Sequence, residues 1–141
     1  MKRATWLVVA VSLVLSSLAM AQLYSNTRIV TEVPFDFMVA NKWVPAGQCE
    51  VKLATMDGKT LSIENRDSSV NLFAGSSRIE NKEAAAHYAL VFKRYGDRYF
   101  LSGMKLEGSK IAYSFPKSKA EAELLARNVP ATEEILLASL K

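Results

Sequence analysis

Cysteine and histidine are almost missing from this chain. Its 141 residues include one of each, Cys49 and His87. A zinc site usually draws on several such ligands at fixed spacing, so neither residue points to a metal. A lone cysteine also excludes an intrachain disulfide. His87 falls on the face of its strand opposite Tyr88, Leu90 and Phe92, where it reads as solvent-facing. The segment ENRDSS, residues 64 to 69, offers oxygen ligands, but Arg66 sits among them and turn chemistry explains the composition. Charge of one sign is scarce as well. The formal net charge is +4, and Lys2 and Arg3 supply half of it. The rest of the chain carries 16 Lys and Arg against 14 Asp and Glu, too even a balance for a nucleic-acid footprint.

Paired catalytic groups are equally scarce. Gly58-Lys59-Thr60 resembles the end of a phosphate loop, but that motif needs Gly where Leu53 stands, and it needs a strand leading into a helix. Ser102 and Lys105 have the spacing of a serine–lysine pair, yet strand residues three apart point to opposite faces. Ser114 and Lys117 straddle Pro116 without the partner motifs of that chemistry. Glu32 and Asp36 share one face of a strand about 13 Å apart by the strand rise, beyond the reach of paired glycosidase carboxylates. The expectation is no enzyme, no cofactor and no metal.

Long apolar runs are confined to the start. Lys2 and Arg3 precede an apolar stretch from Trp6 to Leu15, and small residues end in Ala19-Met20-Ala21. These are the three parts of a secretory signal peptide, and the run is shorter than the ~20 residues of a membrane span. Residues 1–21 are therefore read as a leader cleaved between Ala21 and Gln22, with an uncleaved anchor as the alternative. The mature chain is expected in the periplasm or outside the cell, with no stable membrane span. Residues 22–141 form one domain, since no linker, repeat or low-complexity tract divides them.

What the chain does have is period-two alternation, from residue 28 to 115. Ile29, Thr31, Val33, Phe35, Phe37 and Val39 fall on one face, with Glu32, Pro34 and Asp36 on the other, which predicts a half-buried strand. Pro34 cannot donate to a ladder and marks an edge or a bulge. A loop at Ala40 to Lys42 and a turn at Val44-Pro45-Ala46-Gly47 lead to a second strand, Gln48 to Leu53, which puts Cys49, Val51 and Leu53 inward and Gln48, Glu50 and Lys52 toward water. Asp57-Gly58 signals a hairpin of type I′ into a third strand, Lys59 to Glu64. A fourth holds Val70, Leu72 and Ala74, and residues 77–85 read as a polar surface loop. Three more strands follow, around Tyr88 to Phe92, Tyr99 to Leu106 and Ile111 to Phe115. Short strands at this spacing predict an all-β fold, an antiparallel sandwich or small barrel of seven to eight strands.

After Pro116 the period changes. Ser118-Lys119-Ala120-Glu121 matches a capping box and predicts a C-terminal helix over about 119–127. The tail at 134–140 fits either a final strand or a short helix. The strand is preferred, because it would also cover a sheet edge.

Two groups of residues could bind something. Arg94, Tyr95, Arg98 and Tyr99 form a possible surface cluster able to stack on sugars, bases or anionic polymers, although a hairpin with cross-strand Arg and Tyr packing is the preferred account of it. The inward aromatics Phe35, Phe37, Tyr88, Phe92 and Tyr113 either fill the core or line a cavity for a small hydrophobic ligand.

The stretches PFDFMVANKWVPAGQCEV, ALVFKRYGDRYFLS and FPKSKAEAELLA together resemble a family of small secreted bacterial β proteins of unknown function. The resemblance implies an exported all-β domain with a C-terminal helix and carries over no catalytic or ligand-binding residue. Cys49 departs from the family pattern, which has an aromatic there, usually tyrosine. Together these readings point to an exported non-catalytic structural or interaction module, whose partner is a protein or an envelope component. The alternative is a small hydrophobic-ligand carrier.

Overall fold

The computed structural model describes residues 27–140. The expected leader and its cleavage point at Ala21 and Gln22 lie outside them. Twelve strands and one helix follow in order: β1 (Arg28–Val33), β2 (Phe37–Val39), β3 (Lys42–Val44), β4 (Gly47–Leu53), β5 (Thr60–Asn65), β6 (Val70–Gly75), β7 (Ser77–Glu80), β8 (Ala89–Tyr95), β9 (Arg98–Lys105), β10 (Ile111–Ser114), α1 (Lys119–Ala126), β11 (Thr132–Leu137) and β12 (Ser139–Leu140).

The strands form two sheets. One has the order β12-β1-β4-β5-β6, and the other has β11-β8-β9-β10-β7 with the β2–β3 hairpin added beside β9. Both edges are closed in the same way. β6 and β7 are separated by Ser76 alone, and β11 and β12 by Ala138 alone, yet the members of each pair belong to different sheets. Each pair is one strand that bends across the gap between the sheets, the device by which packed sheets share corners. Counted that way there are eight strands around a flattened barrel, plus the short β2–β3 hairpin. The tail is thus strand, as its apolar run after Pro130 predicts.

The core fills the space between the sheets. Phe37, Val44, Cys49, Val51, Leu61 and Ile63 have no exposed surface. Each large aliphatic or aromatic side chain buried here is worth about 1.5–3 kcal/mol. A second, smaller cluster lies outside the sandwich, where Ala120 and Leu124 of α1, with Val129, pack on Met38, Tyr95 and Phe100.

Four sequence expectations are corrected. The long first strand breaks at Pro34: β1 pairs with β4 in one sheet, whereas β2 runs parallel to β9 in the other. Pro34, lacking an N–H, stands where the chain leaves the first ladder. Residues 77–80, expected in a loop, form β7 against β10, hidden from the sequence by their polarity because every one is exposed. Asp57-Gly58 is not a two-residue turn. Six residues separate β4 from β5, the Gly58 N–H donates to the Thr55 carbonyl at 3.1 Å, and Gly58 alone has positive φ, 70°. The tight turn is instead Ala40-Asn41, both with positive φ (52° and 60°), between β2 and β3.

The helix start is half as expected. The Ser118 side chain accepts from the Glu121 N–H, as an N-cap does. The Glu121 carboxylate does not reach back to the cap; it is buried and accepts from Tyr95.

Candidate functional site

The predicted cluster of Arg94, Tyr95, Arg98 and Tyr99 flanks the β8–β9 turn, where Tyr95 lies opposite Arg98 and Arg94 opposite Tyr99. Gly96 supplies the positive φ, 64°, that the tight turn needs. Alternation across this hairpin splits the four residues between two faces.

Arg94 and Tyr99 belong to the inner face, at one end of the sandwich. The guanidinium lies over the Tyr99 ring, 5.5 Å from its centre, and Phe35 is stacked on that ring at 3.7 Å. Arg94 is occupied: its Nε donates to the Gly96 carbonyl at 2.6 Å, and its Nη1 is 3.9 Å from Glu134. This is the cross-strand packing that a hairpin alone explains.

Tyr95 and Arg98 belong to the outer face and part company there. Tyr95 is buried under α1, and its hydroxyl donates to Glu121 Oε1 at 2.9 Å. Burial, this hydrogen bond and the Glu121 charge push its pKa up to about 12. It is a packing residue, not part of a surface site. Arg98 instead meets a residue outside the predicted cluster, Trp43 of β3. Its Cζ lies 5.9 Å from the Trp43 ring centre and 5.8 Å from that of Phe100. Trp43 is 51% exposed. The pairing was legible only once β2 was known to lie between β3 and β9.

A second surface feature has no counterpart in the sequence reading. On the outer face of the β11-β8-β9-β10-β7 sheet, Ile135 pairs with Val91 and Leu137 with Ala89, while Ala112 pairs with Ile79 at the far edge. Leu137 is 63% exposed and Ile135 49%. Gly103, opposite both Val91 and Ser114, leaves a shallow depression of about 160 Å³ in the middle. Ile135 and Leu137 form a short apolar stripe along β11, and Lys105, opposite both Ala89 and Ala112, separates it from Ile79 at the far edge.

The aromatics considered as a cavity lining pack on one another. Phe92 meets Phe35 edge-on at 5.0 Å and Phe37 at 5.1 Å, and Tyr113 closes over Gly58. Among the clefts, one of about 240 Å³ opens beside Leu53, Leu106, Ile111 and Tyr113. A wider trough of about 710 Å³ is edged by Asp57, Lys59, Ser76 and Arg78, a charged and hydroxylic wall unlike that of an apolar ligand site.

The groups with intrinsic reactivity sit apart. Cys49 is buried, and its pKa is pushed up to about 12, first by burial and then by the charges of Glu32 and Asp67. A thiol kept protonated is a poor nucleophile and behaves as a small hydrophobe. His87 is exposed. Glu50, expected to face water, does point outward but is covered. Arg28 Nε lies 2.9 Å from one carboxylate oxygen and Arg66 Nη2 2.6 Å from the other. Among the described residues no three His, Cys, Asp or Glu side chains converge on a metal position. No helix among them is long and apolar enough to cross a membrane.

The chain matches no family model, no curated protein and no solved structure.

Proposed function

We propose that this chain is an exported, non-catalytic interaction module that holds a protein or another envelope component against the outer face of its larger sheet. The observation that carries the reading is the apolar stripe of Ile135 and Leu137, 49% and 63% exposed on the outer face of β11. Export rests on the leader pattern of residues 1–21 and on the resemblance to small secreted β proteins. The absence of catalysis rests on the sequestration of Cys49 and on the engagement of Glu50 and Glu121 in structural pairs.

The carrier reading is weaker, because three of the aromatics it needs as a lining, Phe35, Phe37 and Phe92, are spent on mutual edge-on contacts.

The test is a pull-down from the native envelope fraction, comparing the wild-type chain with an Ile135→Asp/Leu137→Asp variant. One defined component retained by the wild type and lost by the variant, with equal thermal midpoints for both, is the expected result. Equal retention by both overturns the stripe, and recovery of a lipid or pigment in place of a partner favours the carrier. Mass spectrometry of the chain recovered from the envelope is expected to show Gln22 at its start; a mass that includes residues 1–21 overturns cleavage.

A further inference from the structure

We propose that Arg98 and Trp43 form a receptor for an acidic protein segment, the guanidinium pairing with one of its carboxylates while the exposed indole packs on an apolar residue beside it. The two residues lie on the β2–β3 side of the larger sheet, so this surface can fail or hold independently of the apolar stripe.

The first argument is charge. Arg28 and Arg66 share Glu50, and Arg94 has Glu134, but no carboxylate of a described residue lies within 4.0 Å of Arg98. Asp97, its neighbour in the turn, makes no ion pair with it. The surroundings add positive charge. Lys119 begins the helix tied to the β2–β3 hairpin, its N–H donating to Asn41 Oδ1 at 2.8 Å. A guanidinium with no paired acid among the described residues is complementary to an anionic partner.

The second argument is geometry. The Arg98 guanidinium rests against two aromatic rings, Trp43 and Phe100, and makes no side-chain hydrogen bond to a described residue. These cation–π contacts use none of its N–H donors. Those donors match a carboxylate in a two-pronged arrangement. A guanidinium already held in place also loses less side-chain freedom when the partner arrives.

The third argument selects among anions. The Trp43 ring stays half exposed beside the charge, so the surface couples apolar area to a directed cation. Trp with Arg is the pairing enriched where protein interfaces concentrate their affinity. An acidic segment carrying an apolar residue next to its carboxylate would satisfy both groups, whereas a uniformly polar polyanion would satisfy only one.

Trp6 is the only other tryptophan, so in the full chain carrying Trp6→Phe the indole emission reports Trp43 alone. The probe is a synthetic octapeptide of alternating glutamate and leucine (the glutamate peptide), with the same peptide carrying lysine for glutamate (the lysine peptide) and hyaluronate as comparisons. We expect a saturable emission change with the glutamate peptide, weakening as salt rises, and none with the lysine peptide. Arg98→Gln should weaken binding by roughly tenfold, the loss of one charge-assisted pair, with an unchanged thermal midpoint. If Arg98→Gln does not fold, Arg98→Lys, which keeps the charge and loses the planar fork, should still bind more weakly than wild type. The proposal is overturned if the glutamate peptide produces no saturable change, if the folded Arg98 variant titrates like the wild type, or if hyaluronate saturates the signal while the peptide does not.

Discussion

The Tyr95 hydroxyl donates a 2.9 Å hydrogen bond to Glu121 Oε1, joining the last residue of β8 to the first turn of α1 in a buried contact. Around it Met38 and Phe100 meet Ala120 and Leu124, so one polar bond orients an otherwise apolar helix contact. Tyr95→Phe removes the donor and leaves the carboxylate without its partner. The expected cost is about 1–3 kcal/mol in urea unfolding, the penalty of a buried polar group left unsatisfied. Tyr95→Phe combined with Glu121→Leu should recover part of that loss, since replacing both partners by apolar groups removes the penalty. A double variant less stable than the wild type by the summed costs of the two single changes would show that the pair is not coupled.

High pH should weaken the fold through two groups. Cys49 ionises at about 12 in the fold against 9.0 ordinarily, and Tyr95 at about 12 against 10.0. In each case the folded state keeps a proton that the unfolded chain has released, so the unfolded state binds fewer protons and stability falls as pH rises. The contribution is whole below pH 9 and lost between 9 and 12. Cys49→Ala should remove the part of the decline that begins near 9, and Tyr95→Phe the part that begins near 10. Parallel pH profiles for wild type and both variants, measured by denaturant midpoints, would contradict the assignment.

Burial makes a separate statement about Cys49, which lies in the core between Thr31 on β1 and Asn65 on β5. A thiol reagent can reach it only when the fold opens. In the native protein its modification should be slow and should accelerate in step with unfolding as denaturant is added. Rapid stoichiometric labelling without denaturant would place the thiol at the surface.

How much of this was readable beforehand depended on what each residue's signal measures. Alternation locates the inward face, and Cys49 and Val51 sit where it puts them. It is silent about which sheet a strand joins, so the crossing at Pro34 and the bends at Ser76 and Ala138 emerged only in three dimensions. β7 escaped because an edge strand with both faces exposed has no apolar period. Glu121 was misjudged for a different reason: the capping box predicts a local bond, and a buried hydroxyl from β8 offered the carboxylate a better one. The same gap hid half of the candidate site. Arg98 is visible in the sequence as part of a basic aromatic hairpin, but Trp43 lies 55 positions away and becomes its neighbour only through β2.

Gly58 should be among the least replaceable residues. Its φ of 70° suits glycine, and an added Cβ would overlap the Tyr113 ring. Gly58→Ala combines a left-handed backbone cost with an overpacked contact, for a total of about 2–4 kcal/mol. Relieving the overlap with Tyr113→Leu in the Gly58→Ala background should make the glycine substitution less costly than it is beside tyrosine. Equal costs in the two backgrounds, measured as a double-mutant cycle, would mean that the ring is not what the glycine accommodates.

Glu50 offers the final test, because its ion pairs are unequal in exposure. The carboxylate side chain is 3% exposed, while Arg28 and Arg66 are 39% and 35% exposed. Removing the acid lets both guanidinium groups turn to water. Removing both arginines strands a carboxylate on the sheet with no cation to meet it. Arg28→Ala/Arg66→Ala should therefore be markedly the more damaging change, approaching the roughly 3–5 kcal/mol seen when a buried charge loses its partner, whereas Glu50→Gln should cost about 1–2 kcal/mol. The asymmetry is the prediction, and denaturant unfolding measures it directly. Equal losses would mean that the arginines, not the carboxylate, carry the desolvation cost of this face.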